Sequence, residues 1–368
     1  MTKKQFSHII LFGLLVLIMV VFLCSFLESE NSSDFCSRFY TYTALEENTV
    51  DAVFIGTSGV DRYWVAAQAY DEYGMTVYPL STEAMPSWLY TDILEYALEH
   101  HQPELVLVDT RAFLQDNESE LMDIRARRVL DLFTLYSPEW FRAVFKTMDA
   151  IHSVDPERPR LDISFLFPSV RYHAKWETAT RHIFTNSFGN YFDPYLGIYV
   201  GNGYCVNVEK QVPTLRDDVQ EELDPLSLAA FYDFIALARE HELQLLFVDS
   251  PRFWDEHYMH RLNTLEELIA QEGLDYMSWY DADSENTFSI ALDPDVHFLD
   301  SGHVNFYGAQ IFTADLAAYI NDNYNLPDRR DEQSVRLHWE GVNTQLQAYM
   351  DYLKETFVPP EKPEADSQ

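Results

Sequence analysis

Two short stretches, one near the start of the chain and one near its end, carry side chains that could perform chemistry together. Ser58 follows an apolar run at residues 53–56, which predicts a serine presented where a buried strand ends in a tight turn. Asp300 lies three residues before His303, at the entry to a predicted helix. A serine hydroxyl needs a base to become a nucleophile at neutral pH, and the base needs a partner that orients it. The pattern therefore points to serine-based acyl chemistry.

Each of these residues also has an ordinary structural interpretation. Ser58 fits the N-cap of a helix, His303 could begin a helix and cap its first turn, and Asp300 could be a turn residue. The residues come from opposite ends of the sequence, as happens when two loops meet at one edge of a sheet. The sequence alone leaves both interpretations open.

The elements that must position these residues alternate between strands and helices. Strands are predicted at residues 53–56, 74–80, 104–109, 243–249 and 276–279, and helices at residues 64–73, 89–100, 226–241 and 261–272. Such alternation predicts an α/β fold, a mostly parallel sheet covered by helices on both faces. Ligands of such sheets lie beyond the carboxyl ends of the strands. Ser58, Arg111 and Arg252 all follow strand ends, so both arginines are candidate substrate contacts, although Arg111 could instead pair with a carboxylate.

The first segment differs from the rest of the chain. Lys3 and Lys4 precede an apolar run at residues 9–27, which as a helix spans about 28 Å, close to the hydrocarbon thickness of a bilayer. The lysines favour a cytoplasmic N-terminus at residues 1–8 and an extracellular remainder. A cleaved signal peptide is the alternative, but no small-x-small cleavage pattern follows Leu27. We therefore expect a signal anchor and a single-pass protein of the cell membrane.

The remaining sequence divides by composition. Residues 28–49 are polar and acidic and read as a stalk, and residues 50–330 contain the alternating pattern of the α/β domain. Within that domain residues 117–224 break the pattern and are rich in aromatics, proline, asparagine and glycine, which indicates an insertion that forms a lid or a substrate-binding subdomain. A C-terminal helix is predicted at residues 331–356, and residues 357–368 form a tail predicted to be disordered.

Charge and cysteine content narrow the classes of partner. Sixty acidic residues against 25 basic ones give a net charge of −35, which argues against binding to nucleic acid or to anionic lipid. Outside the predicted membrane segment the cysteines are Cys36 and Cys205, whose pairing the sequence leaves open. Isolated cysteines without a metal-binding histidine spacing predict no metal site.

The serine after the first strand and the Asp-x-x-His element near the C-terminus resemble the SGNH/GDSL hydrolase superfamily. More narrowly, four stretches resemble a membrane-anchored SGNH-like family common in Gram-positive gut bacteria. They are residues 54–58 (FIGTS), 165–173 (FLFPSVRYH), 303–309 (HVNFYGA) and 328–331 (DRRD). The likeness covers nearly the whole chain. Its layout is similar to that of the protein that transfers D-alanine to lipoteichoic acid and of O-acetyltransferases that modify exported polysaccharides.

The resemblance implies a three-layer α/β/α domain of SGNH/flavodoxin-like type and a role for each motif residue. Ser58 would be the nucleophile, His303 the base and Asp300 its partner. The N–H groups of Ser58 and Gly59 would form part of an oxyanion hole for the charge that develops on the acyl oxygen. No metal or organic cofactor is implied.

The chain departs from the superfamily pattern at three positions. Thr57 stands where the GDSL motif has aspartate, residues 80–86 lack the glycine of the second block, and Asp109 precedes Thr110 where the third block has asparagine. Thr82 or Arg111 could supply the missing donors, and Arg111 could also fork onto a carboxylate or a phosphate.

Two functions from different classes follow. The first is a membrane-anchored, extracytoplasmic serine esterase or O-acyltransferase that acts on cell-envelope or exported polymers through an acyl-enzyme. Its partners would be a polymer or acyl carrier as substrate and a membrane-bound acyl-transfer protein. The second is a catalytically silent binding or scaffold protein for envelope-polymer assembly, which the departures in the oxyanion blocks favour.

Overall fold

The computed structural model describes residues 2–26, 32–171, 217–253, 255–280, 288–294 and 296–356. Within them the chain is a mixed α/β structure built on a five-stranded parallel sheet and a separate two-stranded hairpin. The sheet strands are β1 Ala52–Gly56, β2 Val77–Ser81, β3 Leu105–Asp109, β4 Gln244–Asp249 and β5 Asp275–Ser278. The hairpin strands are β6 Phe298–Asp300 and β7 His303–Val304.

Thirteen α-helices surround these strands in the described residues. They are α1 Lys3–Phe26, α2 Ser32–Ala44, α3 Ser58–Asp61, α4 Ala66–Tyr73, α5 Tyr90–His100, α6 Ser119–Leu130, α7 Pro138–Val154, α8 Ile163–Leu166, α9 Pro168–Arg171, α10 Pro225–Glu240, α11 Glu256–Gln271, α12 Phe306–Asn323 and α13 Gln333–Thr356. Two 3₁₀ turns, Ser87–Leu89 and Thr110–Leu114, follow β2 and β3.

The apolar runs in the sequence become the buried strands. Every residue of β1, β2 and β3 is buried, which suits parallel strands covered on both faces. Pro79 lies within β2, where it pairs with Phe54 of β1. A proline is tolerated there because β2 is an edge strand and needs hydrogen-bond donors toward one neighbour only.

The strand order places the chemistry-bearing residues at one point. The strand order in the sheet is β2-β1-β3-β4-β5. The second strand in the chain therefore lies on one side of β1, and the third, fourth and fifth strands lie on the other side. Ligand sites of open α/β sheets lie at the carboxyl ends of the two strands where this change of side occurs. Here those strands are β1 and β3, which end at Gly56 and Asp109.

Helix α1 matches the predicted membrane segment. Its portion Lys3–Phe22 is the one stretch in the described residues that is long and apolar enough to cross a membrane. Most of its large apolar side chains are exposed. A helix of this kind fits a membrane anchor or a signal sequence.

Helix α2 replaces much of the predicted stalk. Phe39 and Tyr42 are at most 1 % exposed, and the Tyr42 hydroxyl donates a hydrogen bond to the Ala97 carbonyl of α5. The second half of the segment at residues 28–49 therefore belongs to the folded domain.

The other predicted elements are found with boundaries shifted by a few residues. The described part of the insertion contains α6 to α9, and its residues 172–216 lie outside the described residues. So do Cys205 and the tail at residues 357–368. The predicted C-terminal helix is α13, which packs against α4 by stacking Trp339 on Tyr70, with ring centroids 5.2 Å apart.

Candidate active site

The end of β1 and the β6–β7 hairpin bring Ser58 and His303 together. Ser58 Oγ lies 2.8 Å from His303 Nε2, although 245 positions separate the two residues. His303 Nδ1 lies 2.9 Å from Asp300 Oδ1 and 3.0 Å from Asp300 Oδ2. An ionised carboxylate only accepts hydrogen bonds, so we assign the imidazole proton to Nδ1. Nε2 is then the acceptor for the Ser58 hydroxyl, as a general base must be.

The turn that presents Ser58 is built around a buried carboxylate. Thr57 caps α3 by accepting the Gly59 N–H on its Oγ1, 3.2 Å away. Asp109 Oδ2 accepts hydrogen bonds from the Thr57 N–H, at 2.9 Å, and from the Thr57 hydroxyl. These bonds fix the residue immediately before Ser58, and they place Ser58 at the first position of α3.

The same carboxylate explains the two glycines beside the serine. A Cβ on Gly56 would lie 2.3 Å from Asp109 Cβ, and a Cβ on Gly59 would lie 2.6 Å from Asp109 Oδ1. Real Cβ atoms do not approach so closely, so glycine is required on both sides of the Thr57–Ser58 turn.

The β6–β7 hairpin holds the acid and the base in one short turn. Asp300 Oδ1 accepts the Gly302 N–H at 2.7 Å, which is a local side-chain turn typical of aspartate. Burial alone would raise the pKa of Asp300. The hydrogen bond and charge of His303, the Gly302 N–H and the charge of Arg62 outweigh burial and hold that pKa below its usual value. Asp300 is therefore ionised at neutral pH, as an orienting partner must be.

Arg111 and Tyr63 fasten the tip of this hairpin to the sheet. Arg111 Nη1 donates to the Gly302 carbonyl at 2.9 Å, and Arg111 Nη2 donates to Ser250 Oγ at 3.0 Å. The Tyr63 hydroxyl lies 3.0 Å from the Gly302 carbonyl and 2.6 Å from that of Pro251, so its one proton donates to one of them at a time. The guanidinium of Arg111 also lies over the Tyr63 ring, 4.8 Å from its centroid.

Arg111 thus spans both halves of the site. It is 1 % exposed, and its Nε, which has no hydrogen-bond partner in the described residues, faces α3: a Cβ on Gly59 would lie 2.8 Å from it. Both terminal nitrogens of the Arg111 guanidinium, which could have bound a carboxylate or a phosphate, already donate to protein oxygens. The geometry therefore indicates that Arg111 holds the hairpin in place rather than binding a substrate carboxylate or phosphate.

The end of β4 supplies the buried carboxyl group of Asp249, and Arg252 follows three residues later. Burial and the charge of Arg111 lower the pKa of Arg252 to about 10. Its guanidinium lies 5.4 Å from the centroid of the Tyr258 ring. Asp249 is fully buried, and its Oδ1 accepts the Thr110 hydroxyl at 3.0 Å. Burial raises the pKa of Asp249 to about 7, against the lowering effects of Arg252, Thr110 and Arg111.

The raised pKa of Asp249 predicts how stability depends on pH. Between about pH 4 and 7 the folded protein keeps a proton that the unfolded chain releases, so the free energy of unfolding falls as the pH rises. Asp249→Asn removes this contribution and keeps an oxygen for Thr110. We expect the difference in unfolding free energy between pH 5 and pH 8 to shrink by about 2–4 kcal/mol in the variant, measured by urea unfolding.

Other groups also contribute to the pH dependence of the wild-type unfolding free energy. The informative quantity is therefore the difference between the pH dependence of the wild type and that of Asp249→Asn. Parallel pH dependences in wild type and Asp249→Asn would show that Asp249 is ionised throughout this range in the folded protein.

The predicted oxyanion donors have different environments. The Gly59 N–H already donates to Thr57 Oγ1. The Ser58 N–H lies in the first turn of α3, where amides have no partner within the helix. Thr82 is fully buried, its N–H donates to the Gly56 carbonyl at 3.2 Å, and its Oγ1 has no hydrogen-bond partner in the described residues.

The structure thus brings Ser58, His303 and Asp300 into one hydrogen-bonded series, with Arg111 beside it. Two contacts could not be predicted from the sequence: that of Asp109 with the Thr57–Ser58 turn, and that of Tyr63 with the hairpin. The glycines on either side of Thr57–Ser58 were a signal that something bulky packs against that turn. In the described part of the chain no group of three His, Cys, Asp or Glu side chains is placed to hold a metal ion.

Comparison of the chain with models of known protein families and with curated proteins finds no match in either case.

Proposed function

We propose that the protein is a serine esterase or O-acyltransferase of SGNH type. The observation that carries the proposal is the Ser58–His303–Asp300 series, with 2.8 Å between hydroxyl and imidazole and a carboxylate within 3.0 Å of the other ring nitrogen. The flavodoxin-like strand order supports a three-layer α/β/α domain, because right-handed crossovers on the two sides of β1 place helices on opposite faces.

In the first half of the reaction His303 Nε2 takes the Ser58 proton as Oγ attacks an ester or thioester carbonyl. Asp300 stabilises the imidazolium that results. The imidazolium then protonates the departing alcohol or thiol, and an acyl group remains on Ser58. In the second half a water molecule or an acceptor hydroxyl attacks the acyl-enzyme, giving hydrolysis or transfer, and Ser58 regains its proton.

The oxyanion hole proposed for this reaction combines the Ser58 N–H with the Thr82 hydroxyl. Ser81 pairs with Gly56 in the parallel ladder, so Thr82 continues β2 beside the turn that presents Ser58. Asp109 accepts hydrogen bonds from Thr57 and cannot donate to an oxyanion as an asparagine would. A second donor must therefore come from another element, and the buried Thr82 Oγ1 is a hydroxyl that has no partner among the residues that the structure describes.

Replacing Thr82 tests this assignment. Thr82→Val keeps the shape of the side chain and removes the hydroxyl. We expect its rate of labelling by a fluorophosphonate to fall about 10²-fold, because the phosphoryl oxygen of the reagent occupies the oxyanion hole. Thr82→Ser should retain most of the rate. Equal rates for Thr82→Val and wild type would exclude the hydroxyl as a donor.

The proposed place of action is the outer surface of the cell membrane, with α1 as a signal anchor and residues 1–8 in the cytoplasm. Substrates would then be esters on cell-envelope or exported polymers, or acyl groups delivered by a membrane-bound partner. The strongly acidic composition is consistent with an extracytoplasmic domain that binds neither nucleic acid nor anionic lipid.

A direct test is to trap the acyl-enzyme. Incubation of the full-length protein in detergent with p-nitrophenyl acetate should give an acetyl adduct on the peptide that contains Ser58, detected by mass spectrometry. Addition of glycerol or a sugar then separates the two activities: acetylated acceptor indicates a transferase, and free acetate alone indicates an esterase. Absence of both adduct and product release would favour the scaffold function, to which the engaged Gly59 N–H and the acceptor-only Asp109 already lend support.

A further inference from the structure

Helix α2 places a buried arginine against the end of β2. Arg38 is 4 % exposed, and its Nη1 donates to the Ser81 carbonyl at 2.7 Å and to Ser81 Oγ at 2.8 Å. The backbone is held as well, since the Tyr78 hydroxyl donates to the Arg38 carbonyl at 2.7 Å. Ser81 is the residue that pairs with Gly56 and precedes Thr82. Arg38 therefore fixes the strand end that runs beside the nucleophile turn.

A buried carboxyl group on α3 lies within the electrostatic influence of the same arginine. Asp61, the last residue of α3, is 1 % exposed, and its Oδ1 accepts no hydrogen bond within the described residues. Burial raises the pKa of Asp61, and the positive charges of Arg38 and Arg62 oppose that rise. A carboxylate this deep needs nearby positive charge to remain ionised. Arg38 thus contacts β2 through Ser81 and acts electrostatically on α3 through Asp61.

We propose that Arg38 is a positioning residue of the active site, supplied by the helix that follows the apolar N-terminal helix. It sets the end of β2 against α3, and so sets Thr82 relative to Ser58. This inference rests on the proposed function. One consequence is that α2, which follows the predicted anchor, is part of the catalytic unit. A second is that the proposed acyl-transfer site is coupled through α2 to the helix proposed to span the membrane.

The test compares variants of the full-length protein in detergent, labelled by a fluorophosphonate over a range of reagent concentrations. For Arg38→Met we expect the maximal labelling rate constant to fall by about tenfold to a hundredfold, with a nearly unchanged half-saturating concentration, because misplacement of the site slows the chemical step. Arg38→Lys keeps the charge and a donor for Ser81, and should recover most of the rate. Arg336→Met, which removes a half-exposed arginine of α13, is the matched control.

A second variant separates positioning from stability. Arg38→Met alone removes one of the two positive charges that act on the buried Asp61 and could unfold the domain. The double variant Arg38→Met/Asp61→Asn removes both charges, so we expect a melting temperature near that of wild type and a labelling rate that stays low.

Recovery of the wild-type rate in the double variant would overturn the inference, since Arg38 would then only neutralise Asp61. So would a wild-type rate in folded Arg38→Met. In either case the proposed function would stand, because the wild type would still be labelled. Failure of the wild type to react would overturn the proposed function and this inference together.

Discussion

Fluorophosphonate labelling of the wild-type protein is expected to disappear in Ser58→Ala and to slow at least about a thousandfold in His303→Ala. The reagent reacts only with a serine whose proton is removed during attack. Ser58 Oγ and His303 Nε2 lie 2.8 Å apart, so each variant removes one side of the same proton transfer. The His303 side chain is 25 % exposed, which leaves the reagent a path to the pair. The measurement is gel fluorescence against time, with the labelled peptide identified by mass spectrometry.

The matched control is Ser301→Ala, which removes an exposed serine two positions before His303. Ser301 uses its carbonyl to accept the Phe253 N–H, and the substitution keeps that bond. Labelling should proceed at the wild-type rate. Persistent labelling of Ser58→Ala would place the reactive serine elsewhere, and an unreactive but folded wild type would support the scaffold function.

The residues that perform the proposed chemistry could be predicted because their signals are local. A serine after an apolar run and an aspartate three residues before a histidine are short patterns whose residue types limit the chemistry. The hairpin that carries Asp300 and His303 could not be predicted, because β6 and β7 together contain five residues and show no periodicity. Its geometry depends on contacts from Arg111 and Tyr63, which lie far away in sequence.

The parallel strands could be predicted from composition, but the contacts between them could not. Asp109 appeared in the sequence only as a departure from an expected asparagine. Its role depends on Thr57, 52 positions earlier, and becomes visible only when β1 and β3 pair in parallel. The acidic and polar composition of residues 28–49 predicts a stalk and hides helix α2. The spacing of Phe39 and Tyr42 on one helical face was the available sign that it packs against the domain.

The second large effect is expected for Asp300→Asn, which should slow labelling about 10³- to 10⁴-fold without unfolding the protein. Asparagine can keep its oxygen on the Gly302 N–H, where the aspartate oxygen accepts at 2.7 Å, so the hairpin turn is preserved. Its amide nitrogen then replaces the oxygen that lies 3.0 Å from His303 Nδ1, while the retained oxygen, 2.9 Å from Nδ1, carries no charge and is shared with the Gly302 N–H. A donor at that position favours an imidazole with the proton on Nε2, which can no longer accept the Ser58 proton.

The pH dependence of the wild type supplies a check on this argument. The contacts that lower the pKa of Asp300 keep it ionised, so loss of the orienting charge should not limit labelling anywhere in the neutral pH range. Asp322→Asn, an exposed substitution at the end of α12, controls for the loss of one surface charge.

If Asp300→Asn were labelled within threefold of the wild-type rate, Asp300 would be a turn residue and the imidazole would be oriented by its backbone position alone. A slow Asp300→Asn with a normal melting temperature would instead show that the carboxylate selects the tautomer, which a structural role in the turn cannot do.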